Sequence, residues 1–385
     1  MAGVDMAGSS GGGAEEPKRR AVFLDRDGTL IREKGYLHDP EQIEFEDGAP
    51  EAVRLLNRAG LAVVLVTNQS GVARGYTTLK ELEAVHESLR DRLSGQGARL
   101  DAVYACPHHP EGTVEPYRMV CRCRKPETGM VEEAARSLGL ALEGSYLVGD
   151  KMSDMELAGR AGLTGILVQT GYGRQEWGKC LRGAAGAQPD WVARDLAEAA
   201  RRVLADLGPG QAVGETRDEP GGGPRWSCKW SSLSRLKRRV AAYRRQGKTL
   251  VLANGIFDLL HVGHVGYLAA ARALGDALIV AVNDDETAAV LKGTGRPVTP
   301  VAERVEILSA LACVDHCLVF HEGTVDRVLE EIRPDFHAKG TDYSEETVPE
   351  RETVRRCGGR VCIVGPPKVQ ATAELIARMR DRANG

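Results

Sequence analysis

The 385-residue sequence lacks the features that send a chain into a membrane or onto nucleic acid. Its longest apolar runs are strand-length, far short of the ~20 residues a spanning helix needs. There is no polybasic run, and 51 Lys and Arg against 54 Asp and Glu leave a net charge of -3, with no broad basic field. The opening MAGVDMAGSSGGGAEEP lacks the apolar centre of a secretory signal, and residues 1–18 read as a disordered tail. A disulfide framework is also missing: nine cysteines, an odd number, are spread through a long chain, which fits a reducing cytoplasm better. The expectation is a cytoplasmic protein with neither nucleic acid nor membrane as partner. The length allows two or three domains, each with its own core.

What is present is alternation. Expected strands at Ala21–Leu24, Leu61–Val66, Ala102–Ala105, Tyr146–Val148 and Gly165–Val168 are interleaved with helices at Pro50–Ala59, Thr78–Leu93, Gly129–Leu138, Met152–Ala161 and Leu196–Leu207. Residues 208–229 are rich in Gly, Pro and charge without periodicity, as a linker is. Alternation resumes at Lys248, with strands at Thr249–Ala253, Ala277–Val282, His316–Phe320, Phe336–Lys339 and Arg360–Val364 among helices at Val262–Leu274, Glu286–Leu291, Val301–Leu311 and Val325–Ile332. The chain closes on a helix at Thr372–Arg380. This pattern predicts two doubly wound parallel-sheet (Rossmann-like) α/β domains, 19–207 and 230–385, joined by a flexible linker.

In the first half, polar residues cap four expected strands. Asp25 and Asp27 follow the apolar run AVFL, and carboxylates at strand carboxyl ends face the crevice where open α/β sheets bind ligands. Two carboxylates this close repel unless a cation or proton separates them, which suggests Mg2+ and a phosphate substrate. A D-x-D pair alone is also what a solvated turn looks like. With the other strand ends the pattern is fuller. Asp25 could attack phosphorus, and Asp27 could protonate the leaving alcohol and then activate water. Thr67 and Asn68 could donate to phosphate oxygens, Lys125 could neutralise developing charge, and Asp150 could complete a Mg2+ site with Asp25. These stretches, DRDGT, VTN, RKP and VGDKMSD, resemble the haloacid dehalogenase superfamily of phosphatases. The resemblance implies a Mg2+ held by Asp25, the backbone carbonyl of Asp27 and Asp150, with Asp154 supporting Asp150 and Lys151 near the substrate.

The loop CPHHPEGTVEPYRMVCRCRKP places Cys106, His108, Cys121 and Cys123 as C-x-H-x12-C-x-C. Three thiolates and an imidazole suit a closed, structural Zn2+, with His109 as the competing imidazole. Such a site would stiffen a loop that delivers Arg124 and Lys125 to phosphate. The loop, with LDRDGTL, TNQSGVARG and GDKMSDM, is similar to the D-glycero-D-manno-heptose 1,7-bisphosphate 7-phosphatases over about residues 20–207. The histidinol-phosphate phosphatases share much of the pattern.

The second half opens with VLANGIFDLLHVGHVGYL, in which His261 and His264 begin a helix as H-x-G-H. Two imidazoles at a helix N-terminus could stabilise an α-phosphate while pyrophosphate leaves, and Gly263 would allow close backbone approach. With LIVAVNDDE, LKGTGRPVTPVAERVEIL and KGTDY, the half resembles the cytidylyltransferase-like superfamily, most of all the adenylyltransferase domains of ADP-heptose synthases. The resemblance implies Lys292 on the phosphates, Arg296 and Arg304 as further phosphate contacts, and Lys339 to Tyr343, Asp342 included, along the nucleotide site. An ordinary helix-surface charge is the alternative, lesser reading of Arg304. The family's Ser-Thr-Thr run is replaced here by Ala371-Thr372-Ala373. The combined expectation is a fusion that acts on sugar phosphates with Mg2+ and structural Zn2+, uses ATP as substrate, and depends on a separate heptose 7-phosphate kinase. The alternatives are a histidinol-phosphate-type phosphatase fused to a cytidylyltransferase, or a phosphatase with a non-catalytic nucleotide-binding module.

Overall fold

Ala21, Val22, Phe23 and Leu24 of strand β1 (Arg19–Leu24) are all fully buried. A strand with apolar side chains on both faces needs cover on both, which is what a parallel sheet between two helix layers gives. The computed structural model describes residues 18–182, 187–207, 229–293 and 295–366. After β1 come α1 (Ala49–Arg58), β2 (Ala62–Asn68), α2 (Gly71–Arg74), α3 (Leu79–Ser94), β3 (Ala102–Cys106), α4 (Gly129–Leu138), β4 (Leu140–Gly149), α5 (Met152–Ala161), β5 (Thr164–Val168), α6 (Gly173–Leu181), β6 (Trp191–Ala193) and α7 (Leu196–Leu207). The strands form one parallel sheet in the order β3-β2-β1-β4-β5-β6. Leu24 lies level with Leu65 and Val148, so the residues that follow these strands emerge along one edge.

Local chemistry sets the helix ends. Thr78 and Glu81 make a reciprocal capping box at the start of α3, with Glu81 N–H donating to Thr78 Oγ1 (3.2 Å) and Thr78 N–H to Glu81 Oε2 (2.7 Å). Leu82, Val85, Leu89 and Leu93 then recur at helical spacing and are buried.

The second sheet follows from α8 (Leu233–Arg245), β7 (Leu250–Gly255), α9 (Val262–Arg272), β8 (Ala277–Asn283), α10 (Asp285–Lys292), α11 (Val301–Ala310), β9 (His316–Phe320), α12 (Asp326–Ile332), β10 (Phe336–Lys339), α13 (Arg351–Arg356) and β11 (Arg360–Ile363). Its parallel order is β11-β10-β7-β8-β9. The motifs of the two halves differ, yet in both the first strand is flanked by the second and the fourth. Each sheet therefore reverses its winding beside its first strand, at β1/β4 and at β7/β10, where such folds open a ligand crevice.

The expected strands are all found, most within two residues at their ends; β4 begins at Leu140, six residues before the expected Tyr146. Five elements were not anticipated: α2, α6, β6, α8 and α13. The first and last are short, and β6 spans three residues. α8 has only Leu236 and Val240 buried among many arginines, so its apolar stripe is narrow. Residues 208–228 of the expected linker, the expected final helix and Ala371-Thr372-Ala373 lie outside the described residues. The two halves touch directly. Trp177, Cys180 and Leu181 of α6 share one buried apolar cluster with Val301, Val305 and Leu308 of α11. Beside it, Arg238 pairs with Asp190 at 3.0 Å and the Arg235 guanidinium lies 4.1 Å from the Trp191 ring centroid.

Candidate active sites

Asp25 leaves β1 buried, its N–H bonded to Val148 O at 2.9 Å. Its Oδ1 lies 2.7 Å from Lys125 Nζ, which also reaches Asp154 Oδ1 at 2.6 Å and Val66 O at 3.1 Å. Burial works against the Lys125 charge, but Asp154 and Asp25 outweigh it and hold its pKa above the ordinary lysine range. A cation so fixed sits ready for charge that develops on a phosphoryl group. Asn68 does something other than the expected phosphate contact: its amide brackets the Lys125 backbone, accepting from Lys125 N–H (3.0 Å) and donating to Lys125 O (3.1 Å). Arg124 donates to His108 O at 3.1 Å, and Lys151 reaches Glu33 at 3.4 Å and lies over the Tyr172 ring.

Asp27 is held from both oxygens. Arg26 donates to Oδ1 (3.0 Å) and Gln69 Nε2 to Oδ2 (2.8 Å), while the same Nε2 donates to Thr67 Oγ1 (2.9 Å). Arg26 also meets Gln69 Oε1 at 3.0 Å and His86 Nε2 at 3.3 Å. Arg26, Gln69 and His86 are all buried and had no place in the sequence-derived site. An arginine between two aspartates reads as a surface charge until the fold closes over it.

The donor set fits a hard divalent cation. Asp25, Asp150 and Asp154 each offer an oxygen within 4.8 Å of the others. Asp150 Oδ2 accepts from Tyr172 N–H (2.8 Å), and its buried Oδ1 meets no hydrogen-bond donor in the protein. Burial, with the Asp25 charge beside it, pushes the Asp150 pKa above the ordinary carboxylate range, as in a carboxylate pocket built for a cation. The carboxylate sits in a cradle made by two glycines in left-handed conformation. A Cβ on Gly28 or Gly171 would fall 2.2 or 2.3 Å from Asp150 Oδ2.

The cysteine-histidine loop closes on itself. Cys106 Sγ lies 3.5 Å from Cys121 Sγ and 3.3 Å from Cys123 Sγ, with 3.2 Å between Cys121 and Cys123. His108 Nδ1 completes the set at 3.3 Å from Cys123 Sγ and 3.7 Å from Cys106 Sγ. None of the four residues is in a disulfide, and their ligand atoms lie within 4.8 Å of one another. Three sulfurs and one imidazole converging in this way are the donors a tetrahedral thiophilic metal takes. His109, the competing imidazole, faces away: it accepts from Glu111 N–H and lies beside Arg74.

In the second half a cavity of about 830 Å3 opens at the β7/β10 crossover. His261, His264, Lys292, Arg296, Lys339 and Asp342 line it. The two histidine rings stack with centroids 3.9 Å apart. Burial, then the neighbouring His261, brings the His264 pKa down to about 4, so the ring is neutral at pH 7 and offers one N–H. Phe257, edge-on to His264 at 5.5 Å, holds a backbone φ of 52°, a strained conformation of the kind found at binding sites. Lys339 pairs with buried Glu350 at 3.0 Å. Arg296 pairs through Nε with Asp258 at 2.6 Å, and Asp258 also accepts from the N–H groups of Val298 and Thr299. Asp258 and Glu350 were missed; an acid within the apolar turn GIFDLL was the available signal for the first.

The structure does not bring Arg304 to this cavity, nor leave it on the surface. Its guanidinium is fully buried and bonded to Thr299 O (2.9 Å), Ile256 O (2.5 Å) and Asp285 Oδ1 (2.8 Å). It fastens the loops that frame the cavity.

Comparison with known proteins divides at the same place. A HAD-hydrolase-like family model matches residues 122–199, and a cytidylyltransferase-like model matches residues 252–375. The D-glycero-beta-D-manno-heptose-1,7-bisphosphate 7-phosphatase of Escherichia coli K12 is 42% identical over 192 residues, which are 50% of this chain and 97% of that protein. The D-glycero-D-manno-heptose-1,7-bisphosphate 7-phosphatase of Thermosynechococcus vestitus is 45% identical over 197 residues, 50% of this chain and 98% of that one. Among solved structures, the D,D-heptose 1,7-bisphosphate phosphatase of B. bronchiseptica, complexed with magnesium and phosphate, is 34% identical and matches 49% of this chain and 99% of its own, with a TM-score of 0.43. The chain thus belongs, through its first half, to the heptose-bisphosphate phosphatase family of HAD-like hydrolases, and its second half is a cytidylyltransferase-like domain.

Proposed function

We propose that the protein catalyses two consecutive steps: removal of the 7-phosphate of D-glycero-β-D-manno-heptose 1,7-bisphosphate, then transfer of AMP from ATP to the resulting heptose 1-phosphate, giving ADP-heptose and pyrophosphate. The observation that carries the first step is Asp25 held against Lys125 at 2.7 Å, with Asp27 beside it, in a half-chain 42% identical to a phosphatase of this specificity. An Asp25 oxygen attacks phosphorus, and the bond from phosphorus to the sugar oxygen breaks. Asp27 gives its proton to that oxygen, leaving a phosphorylated Asp25. Asp27 then takes a proton from water as the water attacks phosphorus, which frees phosphate and restores Asp25. Thr67 and Lys125 bind the phosphoryl oxygens throughout. Mg2+, held by Asp25, Asp150 and the Asp27 carbonyl, would neutralise phosphoryl charge. Zn2+ in the Cys106-His108-Cys121-Cys123 cluster would be structural, because all four positions are taken by protein.

In the second step an oxygen of the sugar 1-phosphate attacks the α-phosphorus of ATP, and the bond to the β-phosphate oxygen breaks. His261 and His264 donate to the α-phosphate oxygens, and Lys292 lies against the phosphates. A separate kinase that phosphorylates heptose 7-phosphate must supply the first substrate. The test is incubation with the heptose bisphosphate, Mg2+ and either ATP or CTP, read by mass spectrometry. ADP-heptose supports the proposal; phosphate release with no nucleotide sugar removes the second step, and no phosphate release removes the first.

A further inference from the structure

We infer that Arg26, Gln69 and His86 are positioning residues of the phosphatase site, which fix the direction of the hydrogen bonds that the Asp27 carboxylate and the Thr67 hydroxyl accept. The inference rests on the acid/base role proposed for Asp27. Its basis is donor and acceptor polarity. A guanidinium only donates. The His86 nitrogen that faces Arg26 Nη1 must therefore accept, which places the His86 proton on Nδ1. Burial, then repulsion by Arg26, brings the His86 pKa down to about 3, in keeping with a neutral ring. In the same way Gln69 must present its carbonyl oxygen to Arg26 Nη2. That leaves both amide protons of Gln69 for Asp27 Oδ2 and Thr67 Oγ1, at 2.8 and 2.9 Å.

Two consequences follow. The Thr67 hydroxyl accepts from Gln69, so its own proton is turned elsewhere, available to a phosphoryl oxygen at the β2 end. Asp27 is gripped at both oxygens, and its rotamer is set before substrate arrives. The grip begins on α3, a helix whose other work is packing, and it reaches Asp27 only through a buried arginine. No element of this chain of bonds touches the phosphoryl group except at its end, in Thr67 and Asp27. A loose Asp27 would impair the proton transfers and leave nucleophilic attack by Asp25 intact.

Leaving-group dependence separates this role from simple loss of fold. His86→Leu removes the acceptor for Arg26, His86→Gln can restore one, and Gln69→Met removes the bonds to Asp27 and Thr67. On heptose bisphosphate, whose alkoxide needs a proton to leave, His86→Leu and Gln69→Met should lower kcat ~10–100-fold. KM should change little for His86→Leu, and His86→Gln should recover most of the loss. On p-nitrophenyl phosphate the aryl oxide leaves unaided, so both impaired variants should give a stoichiometric burst of p-nitrophenolate followed by slow turnover, because water activation still needs Asp27. Equal losses on both esters with no burst, or no recovery in His86→Gln, would overturn the assignment. Wild-type protein inert toward both esters would instead remove the phosphatase function itself.

Discussion

Asp25→Asn removes the attacking oxyanion and leaves the fold intact, since the amide still fits the space. Phosphate release from the bisphosphate should fall by several orders of magnitude, while supplied heptose 1-phosphate is still converted to ADP-heptose. His264→Ala should do the reverse: nucleotide transfer drops ~100–1,000-fold, as for loss of one donor to a developing oxyanion, and phosphate release is unchanged. Phosphate and pyrophosphate assays on both variants check the pair. At this scale the sequence was most legible where a polar residue ends an apolar run. Asp25 and Asp150 each follow a buried strand and Thr67 lies among the last residues of another, and the register of the sheet then makes them neighbours. It was least legible for buried charge. Nothing local distinguishes Arg304 from a surface arginine, because the Ile256 carbonyl and the Asp285 carboxylate that hold it belong to other parts of the chain. Arg26 was hidden for the same reason.

Among elements, the loop between β3 and α4 has the most to lose. Its three cysteines and His108 stand close in sequence in two pairs, and this is why the cluster could be read before any fold was known. What could not be read is the coupling: Arg124 hangs on His108 O, and Lys125 is bracketed by Asn68. Cys121→Ser should therefore abolish stoichiometric zinc, measured by elemental analysis, and lower the melting temperature by roughly 5 °C or more. Phosphatase kcat should fall with it, and nucleotide transfer should not. Elements with a full apolar stripe were foreseen, as α3 was. α6 was not, because much of what it buries is shared across the junction of the two halves, and α8 was not, because its only buried apolar residues, Leu236 and Val240, make too narrow a stripe. An interface pattern has no period that one helix alone reveals.

For the whole molecule, buried imidazoles set an acid limit. Burial, then Lys339, brings the His337 pKa down to about 3, and burial, then Arg239, brings His316 down to about 4. Both are neutral in the folded protein. The unfolded chain takes up their protons as pH falls below ~6.5, so stability is full above that value and declines below it, down to about pH 4 for His316 and about pH 3 for His337. Each should contribute a loss of ~1–2 kcal/mol by pH 5. Urea midpoints measured from pH 7.5 to 5 should show the decline, and His337→Gln should flatten it. Among the described residues no helix is long and apolar enough to cross a membrane.

The shared seam of α6 and α11 also limits how the gene can be divided. If the polypeptide is cut between residues 207 and 229, each fragment is left with a raw oily face, Trp177 and Leu181 on one, Val305 and Leu308 on the other. Expressed together, the fragments should find each other and elute as a 1:1 pair from a column that captures only one of them; expressed singly, each should be prone to precipitate.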